Sequence, residues 1–211
     1  MRIWVFRTAG AEGGDPDTVC PNNLNADALH VGNTGRTCHL TDYSGATDFV
    51  LKELVHDQRL RQGWGVPSLD LRLPEGAWIE NYIVASNRYW NAVNGCEHAS
   101  GRRRIIKVML EMAPGDVIYI PNVNGETRDE RQFSVCRVKG QYFFEDRSCL
   151  ENNWQKDFGH VIPIQKLASY AYSSTTLSRS IFGAPYLHAI DEAKPHYQSY
   201  STLFGFAGTL P

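Results

Sequence analysis

Residues 113–144 constrain the fold more than any other stretch of this chain. Ala113-Pro114-Gly115-Asp116 is a turn signal, and it opens into Val117-Ile118-Tyr119-Ile120-Pro121, a short apolar run closed by its proline. Such a run reads as a buried strand. Phe133-Ser134-Val135-Cys136-Arg137-Val138 repeats the pattern and stops at Gly140, and Tyr142-Phe143-Phe144 continues it after a bend. His160-Val161-Ile162-Pro163-Ile164 reads as a short final strand, and its proline, which cannot donate to a ladder, points to a sheet edge. At the other end of the chain Ile3 and Val5 alternate with Trp4 and Phe6, the period of a central strand with apolar groups on both faces.

Helical signals lie between these strands. Thr47 with Asp48 makes a helix start, and Val50, Leu51, Leu54 and Leu60 supply one apolar face up to a stop at Gly63, so this helix is expected to deliver Trp64 at its exit. A second helix opens with Pro74 and Glu75 and carries Trp78, Ile79, Tyr82, Ile83, Tyr89, Trp90 and Val93 at spacings of three and four, a core stripe. Ile105 to Met112 fits a short helix or a strand equally. A strand, then helices, then three or four strands with tight connections predict an α+β fold: a small curved sheet or partly closed barrel flanked by helices. With 211 residues, 42% of them hydrophobic, one domain over residues 1–168 and a C-terminal helical or irregular extension over residues 169–211 are expected. Residues 8–45, rich in Gly, Asn, Asp and Thr, read as an insertion.

Charge and cysteine usage narrow the function. A net charge of −2 excludes a protein that coats nucleic acid by bulk electrostatics. The basic residues are instead clustered: Arg59 and Arg61, then Arg102, Arg103, Arg104 and Lys107, then Arg137 and Lys139. The first two clusters are the candidate phosphate contacts. Five cysteines without a CxxC pair suit neither a disulfide framework nor a zinc ribbon, and Cys20, His30, Cys38 and His39 match no usual metal spacing. No stretch of about 18 apolar residues and no signal peptide is present, so a soluble, cytoplasmic protein without membrane partners is expected. HExxH, GxSxG, P-loop, GxGxxG and zinc deaminase patterns are missing. Asp116 with Glu126-Thr127-Arg128 loosely imitates a metal-dependent nuclease, but the turns around both acids explain them without catalysis. No catalytic residue, cofactor or metal is expected.

A binding reading has more support. In Gln62-Gly63-Trp64-Gly65 the tryptophan is flanked by glycines, which predicts ring faces accessible to a planar guest such as a base. Trp4 and Arg7 on the first strand, Gly63-Trp64-Gly65 followed by Asp70-Leu71, the Pro114-Gly115-Asp116 turn, the Cys136-Arg137-Val138-Lys139-Gly140 strand and His160-Val161-Ile162-Pro163-Ile164 together resemble the PUA-like superfamily. More narrowly, residues 1–168 resemble the EVE/YTH-type modules at the front of modification-dependent restriction proteins. The resemblance implies an aromatic cage that takes a base turned out of its strand, with Trp64 as one wall. Trp4, Tyr119, Phe133 and Trp154 are candidate further walls, and Arg7, Asp70 and Asn122 are candidates for reading the base edge. It implies DNA carrying a modified base as partner, base flipping, and a sensing role in a restriction or phage-defence system beside an effector nuclease domain or subunit. A reader of modified RNA, a metal-dependent nuclease, and a scaffold with a Tyr-rich tail are the alternatives.

Overall fold

Four consecutive buried residues, Ile3 to Phe6, need cover on both faces, and they form the strand around which the sheet is built. The computed structural model describes residues 1–6, 46–89, 96–124, 132–151, 153–171 and 187–189. In chain order its elements are β1 (Ile3–Phe6), α1 (Ala46–Val55), β2 (Arg59–Gln62), α2 (Glu75–Tyr89), α3 (Cys96–Ile106), a 3-10 turn (Lys107–Glu111), β3 (Val117–Asn124), β4 (Gln132–Val138), β5 (Phe143–Phe144), α4 (Asn153–Lys156), β6 (His160–Ala171) and β7 (Leu187–Ala189). The architecture is α+β: a curled, half-barrel mixed sheet with helices packed on it.

The seven strands run in the order β2-β6-β4-β3-β1-β7, with β5 also paired to β6. β1 is parallel to β3, Ile3 opposite Val117 and Val5 opposite Tyr119. A parallel pair needs a long crossover, and the helices between β1 and β3 supply it. The remaining pairings are antiparallel. Curvature has a local cause: between Val135 and Cys136 of β4 the partner jumps from Ala168 to Lys166 on β6, a bulge that bends the sheet. Alternation then gives two apolar faces. Trp4, Phe6, Ile118, Ile120, Cys136, Val138, Ile162 and Ile164 join Val50 and Leu54 of α1, Trp78 and Tyr82 of α2, and Ala99 and Ile106 of α3 in one core. Ile3, Val5, Val117, Tyr119, Phe133 and Val135 are buried on the opposite face.

The first helix is shorter than its apolar spacing suggests. α1 stops at Val55, Gln58 takes a left-handed backbone with φ 53°, and Leu60 lies on β2, so a strand and not a helix delivers Trp64. The strand is hidden in the sequence because Arg61, in an apolar slot, is charged. α2 begins where Pro74 and Glu75 place it, and the ambiguous run from Ile105 resolves as the end of α3 followed by the 3-10 turn. β6 is neither short nor an edge. It has twelve residues, lies between β2 and β4, and runs through residue 168. Pro163 is tolerated there because the neighbouring side changes strand at this point: β4 reaches Ile164, β5 starts at Val161, and the gap is bridged by the Lys139 N–H donating to the Pro163 carbonyl at 2.9 Å. β7, from the segment after residue 168, pairs with β1. Among the described residues no helix is long and apolar enough to cross a membrane.

Candidate functional site at the Trp64 turn

β2 leads directly into Gly63-Trp64-Gly65, and the turn is fixed from the segment just before β6. Trp64 has φ 62°, a left-handed conformation that costs a bulky residue energy and persists only when its surroundings impose it. Three hydrogen bonds do so. The Trp64 N–H donates to Asp157 Oδ1 at 2.8 Å, the Gly65 N–H donates to the Asp157 carbonyl at 2.8 Å, and His160 Nε2 lies 3.1 Å from the Trp64 carbonyl. Gly65 and Gly159 let the two segments cross backbone to backbone: a Cβ on Gly65 would lie 2.7 Å from Gly159 N and 2.8 Å from His160 N. Gly65 thus serves a close approach of two backbones rather than open access to the indole.

Behind the turn a buried polar chain runs outward. His160 Nδ1 lies 2.9 Å from the Tyr142 hydroxyl, which accepts from the Leu71 N–H at 3.3 Å and lies 3.4 Å from Asp70 Oδ1. A carbonyl only accepts, so His160 Nε2 carries the proton, Nδ1 is the acceptor, and Tyr142 donates to it. Burial pushes the His160 pKa down to about 4, against the Trp64 carbonyl and the Asp70 charge, so the ring is neutral. Burial likewise pushes the Tyr142 hydroxyl up. Asp70 is raised by partial burial but lowered more by its hydrogen bonds and charge pairing with Arg72, and ends below its ordinary value.

The indole itself is 3% exposed, not the open-faced ring expected of a glycine-flanked tryptophan. The Arg102 guanidinium from α3 lies 4.7 Å from the ring centroid, within cation–π range. The indole Nε1 is buried and has no hydrogen-bond acceptor among the described residues. Trp4 and Trp78, equally buried, both satisfy theirs: Trp4 Nε1 donates to Asp116 Oδ2 at 3.0 Å and Trp78 Nε1 to the Leu69 carbonyl at 2.9 Å. Arg103 Nε on α3 and the Tyr170 hydroxyl are likewise buried without a hydrogen-bond partner among the described residues; each such group calls for a reason.

The other sequence candidates are sorted by where they fall. Trp4 is a core residue, 1% exposed, with its N–H engaged, so it offers no free cage wall. Tyr119 and Phe133, with ring centroids 6.1 Å apart, are on the opposite sheet face from Trp4 and the core that contains Trp64; the pleat separates them from that site. Asp70 is tied to the site through Tyr142. Asn122 falls on β3 and Trp154 on α4, but their side chains lie outside the described residues, as does all of Arg7. Asp116, the nuclease candidate, accepts from the Arg2 N–H, the Trp4 indole and the Ala113 N–H, a structural role that occupies its carboxylate. Glu126, Cys20, His30, Cys38 and His39 lie outside the described residues, among which no group of three or more His, Cys, Asp or Glu is arranged to hold a metal.

The arginines divide similarly. Arg61 is not a phosphate contact: its side chain is fully buried and donates to Glu53 at 2.7 Å, the Phe158 carbonyl at 2.9 Å and Glu145 at 2.6 Å. It stacks with Arg147 against Phe49, their guanidinium carbons 5.5 Å and 4.8 Å from the ring centroid. Burial raises the Glu145 carboxyl, but the hydrogen bond and charge of Arg61, backed by Arg147 and Arg59, hold it below its ordinary value. Arg59 is the exposed member, 44% accessible and 3.9 Å and 3.8 Å from the same two carboxylates. Arg103 also turns inward, donating to the Leu73 carbonyl at 3.0 Å and to Glu75 at 3.4 Å. Arg104 and Lys107 are exposed and Arg102 is half-buried. Sequence reasoning missed Tyr142, Asp157 and Gly159, which have no motif of their own; the run Asp157-Phe158-Gly159-His160 shows its purpose only when β6 brings it against the Trp64 turn. No family model and no curated protein matches this chain.

Proposed function

We propose that this chain is a PUA-like, EVE/YTH-type module that recognises a modified base in DNA. The base is flipped out of its strand to the Trp64 indole, and the module acts as the sensor of a restriction or phage-defence system whose cleavage is done by an effector nuclease domain or subunit. The observation that supports this reading is the buried indole N–H of Trp64 without an acceptor among the described residues, on a ring whose neighbour on α3 is a cation. A base set edge-on to the indole supplies the acceptor that such a site lacks. Arg59, Arg102, Arg104 and Lys107 provide local positive charge for flanking phosphates, as a chain of net charge −2 requires.

The test is a binding screen of single-stranded and duplex DNA and RNA carrying methylated, hydroxymethylated and glucosylated bases, with the wild type and Trp64→Phe. Phenylalanine keeps an aromatic ring and removes the unsatisfied donor, so stability should change by no more than about 1 kcal/mol, lost packing being offset by relief of the buried donor. Affinity for the modified oligonucleotide should fall about tenfold, the size of one lost buried hydrogen bond. Placing the modified base opposite a mismatch should tighten binding, because unpairing then costs less. Wild type that binds no member of the panel, or a Trp64→Phe variant that binds as well as wild type, would overturn the reading; preference for the RNA members would assign the site to modified RNA.

A further inference from the structure

We propose that the Tyr142 hydroxyl is a two-position proton switch between His160 and Asp70: it donates to His160 Nδ1 while that ring is neutral and turns to Asp70 when His160 takes up a second proton. Buried His160 is thereby charged inside the folded protein, with the Trp64 turn still held. The exchange is independent of what Trp64 binds.

The numbers of donors and acceptors dictate the two positions. A phenol has one proton and two lone pairs. The Tyr142 oxygen has three polar neighbours: His160 Nδ1 at 2.9 Å, the Leu71 N–H at 3.3 Å and Asp70 Oδ1 at 3.4 Å. The Leu71 N–H takes one lone pair in both states. One proton cannot serve two acceptors, so with neutral His160 it goes to the nearer, Nδ1. Asp70 remains satisfied, because Arg72 Nε lies 3.1 Å and 2.9 Å from its two oxygens. A proton on Nδ1 would set donor against donor unless the hydroxyl turns. Once turned, the Tyr142 oxygen accepts from the Leu71 N–H and from Nδ1–H, and its own proton points to Asp70. Every group in the chain is then paired again, and His160 Nε2 donates to the Trp64 carbonyl throughout.

The same three groups form the path inward. His160 is fully buried, whereas Asp70 reaches solvent. A proton taken from water by Asp70 passes to the Tyr142 oxygen as the Tyr142 proton passes to His160 Nδ1. One carboxyl O–H and one phenol O–H break; one phenol O–H and one N–H form. Asp70 ends as a carboxylate, Tyr142 as a neutral phenol and His160 as an imidazolium. Tyr142 therefore need not become an anion, a form that burial opposes.

The charged groups around the ring come from every segment packed on it. Asp70 and Arg72 follow the Trp64 turn, Asp157 before β6 holds the Trp64 N–H, and Arg102 of α3 lies over the Trp64 ring. Arg61 of β2 and Glu145 after β5 are turned to each other. Asp70 is the carboxylate that shares a hydrogen-bonding group with His160, and its charge favours the imidazolium against the opposing effect of burial.

The test is a pH titration of the full chain followed by long-range proton–nitrogen NMR of the histidine rings, with His160 assigned by its loss in His160→Gln and backbone amide dispersion reporting the fold. In wild type the neutral ring should carry its proton on Nε2 and should charge near pH 4 with dispersion retained. Tyr142→Phe keeps the aromatic ring and separates the alternatives by sign. A hydroxyl that turns stabilises the imidazolium through a charge-assisted hydrogen bond, so its removal should weaken proton binding by His160 about tenfold. A hydroxyl locked as donor to Nδ1 opposes the imidazolium, so tighter proton binding in Tyr142→Phe would overturn the switch. Asp70→Asn should also weaken proton binding, and much less so in the Tyr142→Phe background, because its influence runs through the hydroxyl. An equal effect of Asp70→Asn in both backgrounds would be through-space attraction alone and would overturn the switch. So would a wild-type His160 ring that stays neutral until the fold is lost, a result that needs no variant.

Discussion

Gly159→Ala should destabilise this protein more than the same change at Gly65, Gly76, Gly101, Gly115 or Gly140. The added Cβ would meet the Gly65 carbonyl oxygen inside contact distance, Phe144 Cε2 at 2.8 Å and the Glu145 carbonyl oxygen at 2.9 Å. Two of these are backbone atoms and cannot rotate away. Overpacking of this kind costs about 1–3 kcal/mol. Separating the strands also stretches the Gly65 N–H to Asp157 carbonyl bond and the Glu145 N–H to Gly159 carbonyl bond, 2.8 Å and 2.9 Å, each worth about 0.5–1.5 kcal/mol. Together these give a loss of about 2–6 kcal/mol, a large share of a typical domain stability of about 5–15 kcal/mol. Gly101→Ala is the matched control. The same methyl group on α3 meets nothing within 4 Å and should stabilise by about 0.5–1 kcal/mol through helix propensity. Urea unfolding of both variants beside wild type reads the difference, and residual folded Gly159→Ala should bind the modified oligonucleotide poorly because the Trp64 turn has moved. A cost below about 1 kcal/mol for Gly159→Ala would mean that the two backbones do not cross as described and that the turn is not rigid.

Two further outcomes follow from the buried polar groups. His160 binds a proton at its ordinary value of 6.5 when unfolded but only at about 4 when folded, so its contribution to stability is complete above pH 6.5 and is lost as pH falls toward 4. The slope should approach 1.4 kcal/mol per pH unit, about 3 kcal/mol over the window. Urea midpoints at pH 7.5, 5.5 and 4.5 should drop steeply for wild type and less for His160→Gln; matching slopes would show that His160 is not held neutral. Arg61→Leu should cost about 3–5 kcal/mol because it strands the Glu53 and Glu145 carboxylates, whereas Arg59→Ala should cost under about 1 kcal/mol and act on nucleic-acid affinity. Equal stability losses for the two variants would place both arginines in the same environment, contrary to their exposure.

Much of the fold is legible in the chain because local signals agree with it there. Pro74-Glu75 starts α2, Pro114-Gly115-Asp116 opens β3, and the alternation of Ile3 to Phe6 places β1 inside the sheet. The misreadings share one physical origin: long-range pairing overrides local pattern. Leu60 fits a helical stripe by spacing, but Arg61 beside it is neutralised by Glu53 of the preceding helix and by Glu145, 84 residues away, and becomes a buried strand residue. Pro163 suggests an edge, but the handover between β4 and β5 removes the need for its N–H. The site is legible at its centre and not at its rim. Trp64 is marked by its glycines, yet its supports, Asp157 and His160, lie more than ninety residues away, and no local rule connects them. Aromatic identity alone also groups Tyr119 and Phe133 with Trp64, whereas the pleat assigns them to the other face.

The unsatisfied indole has its weight because of what surrounds it. On α3 the Arg103 Nε is also buried without a partner among the described residues, but the backbone of the turn itself is paired. The Trp64 N–H, the Gly65 N–H and the Trp64 carbonyl, all forced inward by a left-handed backbone, each have a partner, one of them a histidine kept neutral at the expense of its own basicity. Tyr142 then satisfies His160, and the Leu71 N–H satisfies Tyr142. The chain of partners covers the backbone side of Trp64, while the indole side is covered by a guanidinium with nothing to accept its proton. Trp4 and Trp78 show that the same fold readily supplies an acceptor to a buried indole. Selection for stability alone would place a carbonyl or carboxylate in the plane of the indole, and would remove the cost of a buried donor, about 1–3 kcal/mol. Under the proposed base-binding reading, a donor held open on a rigid backbone is the place where an acceptor from the ligand becomes binding energy.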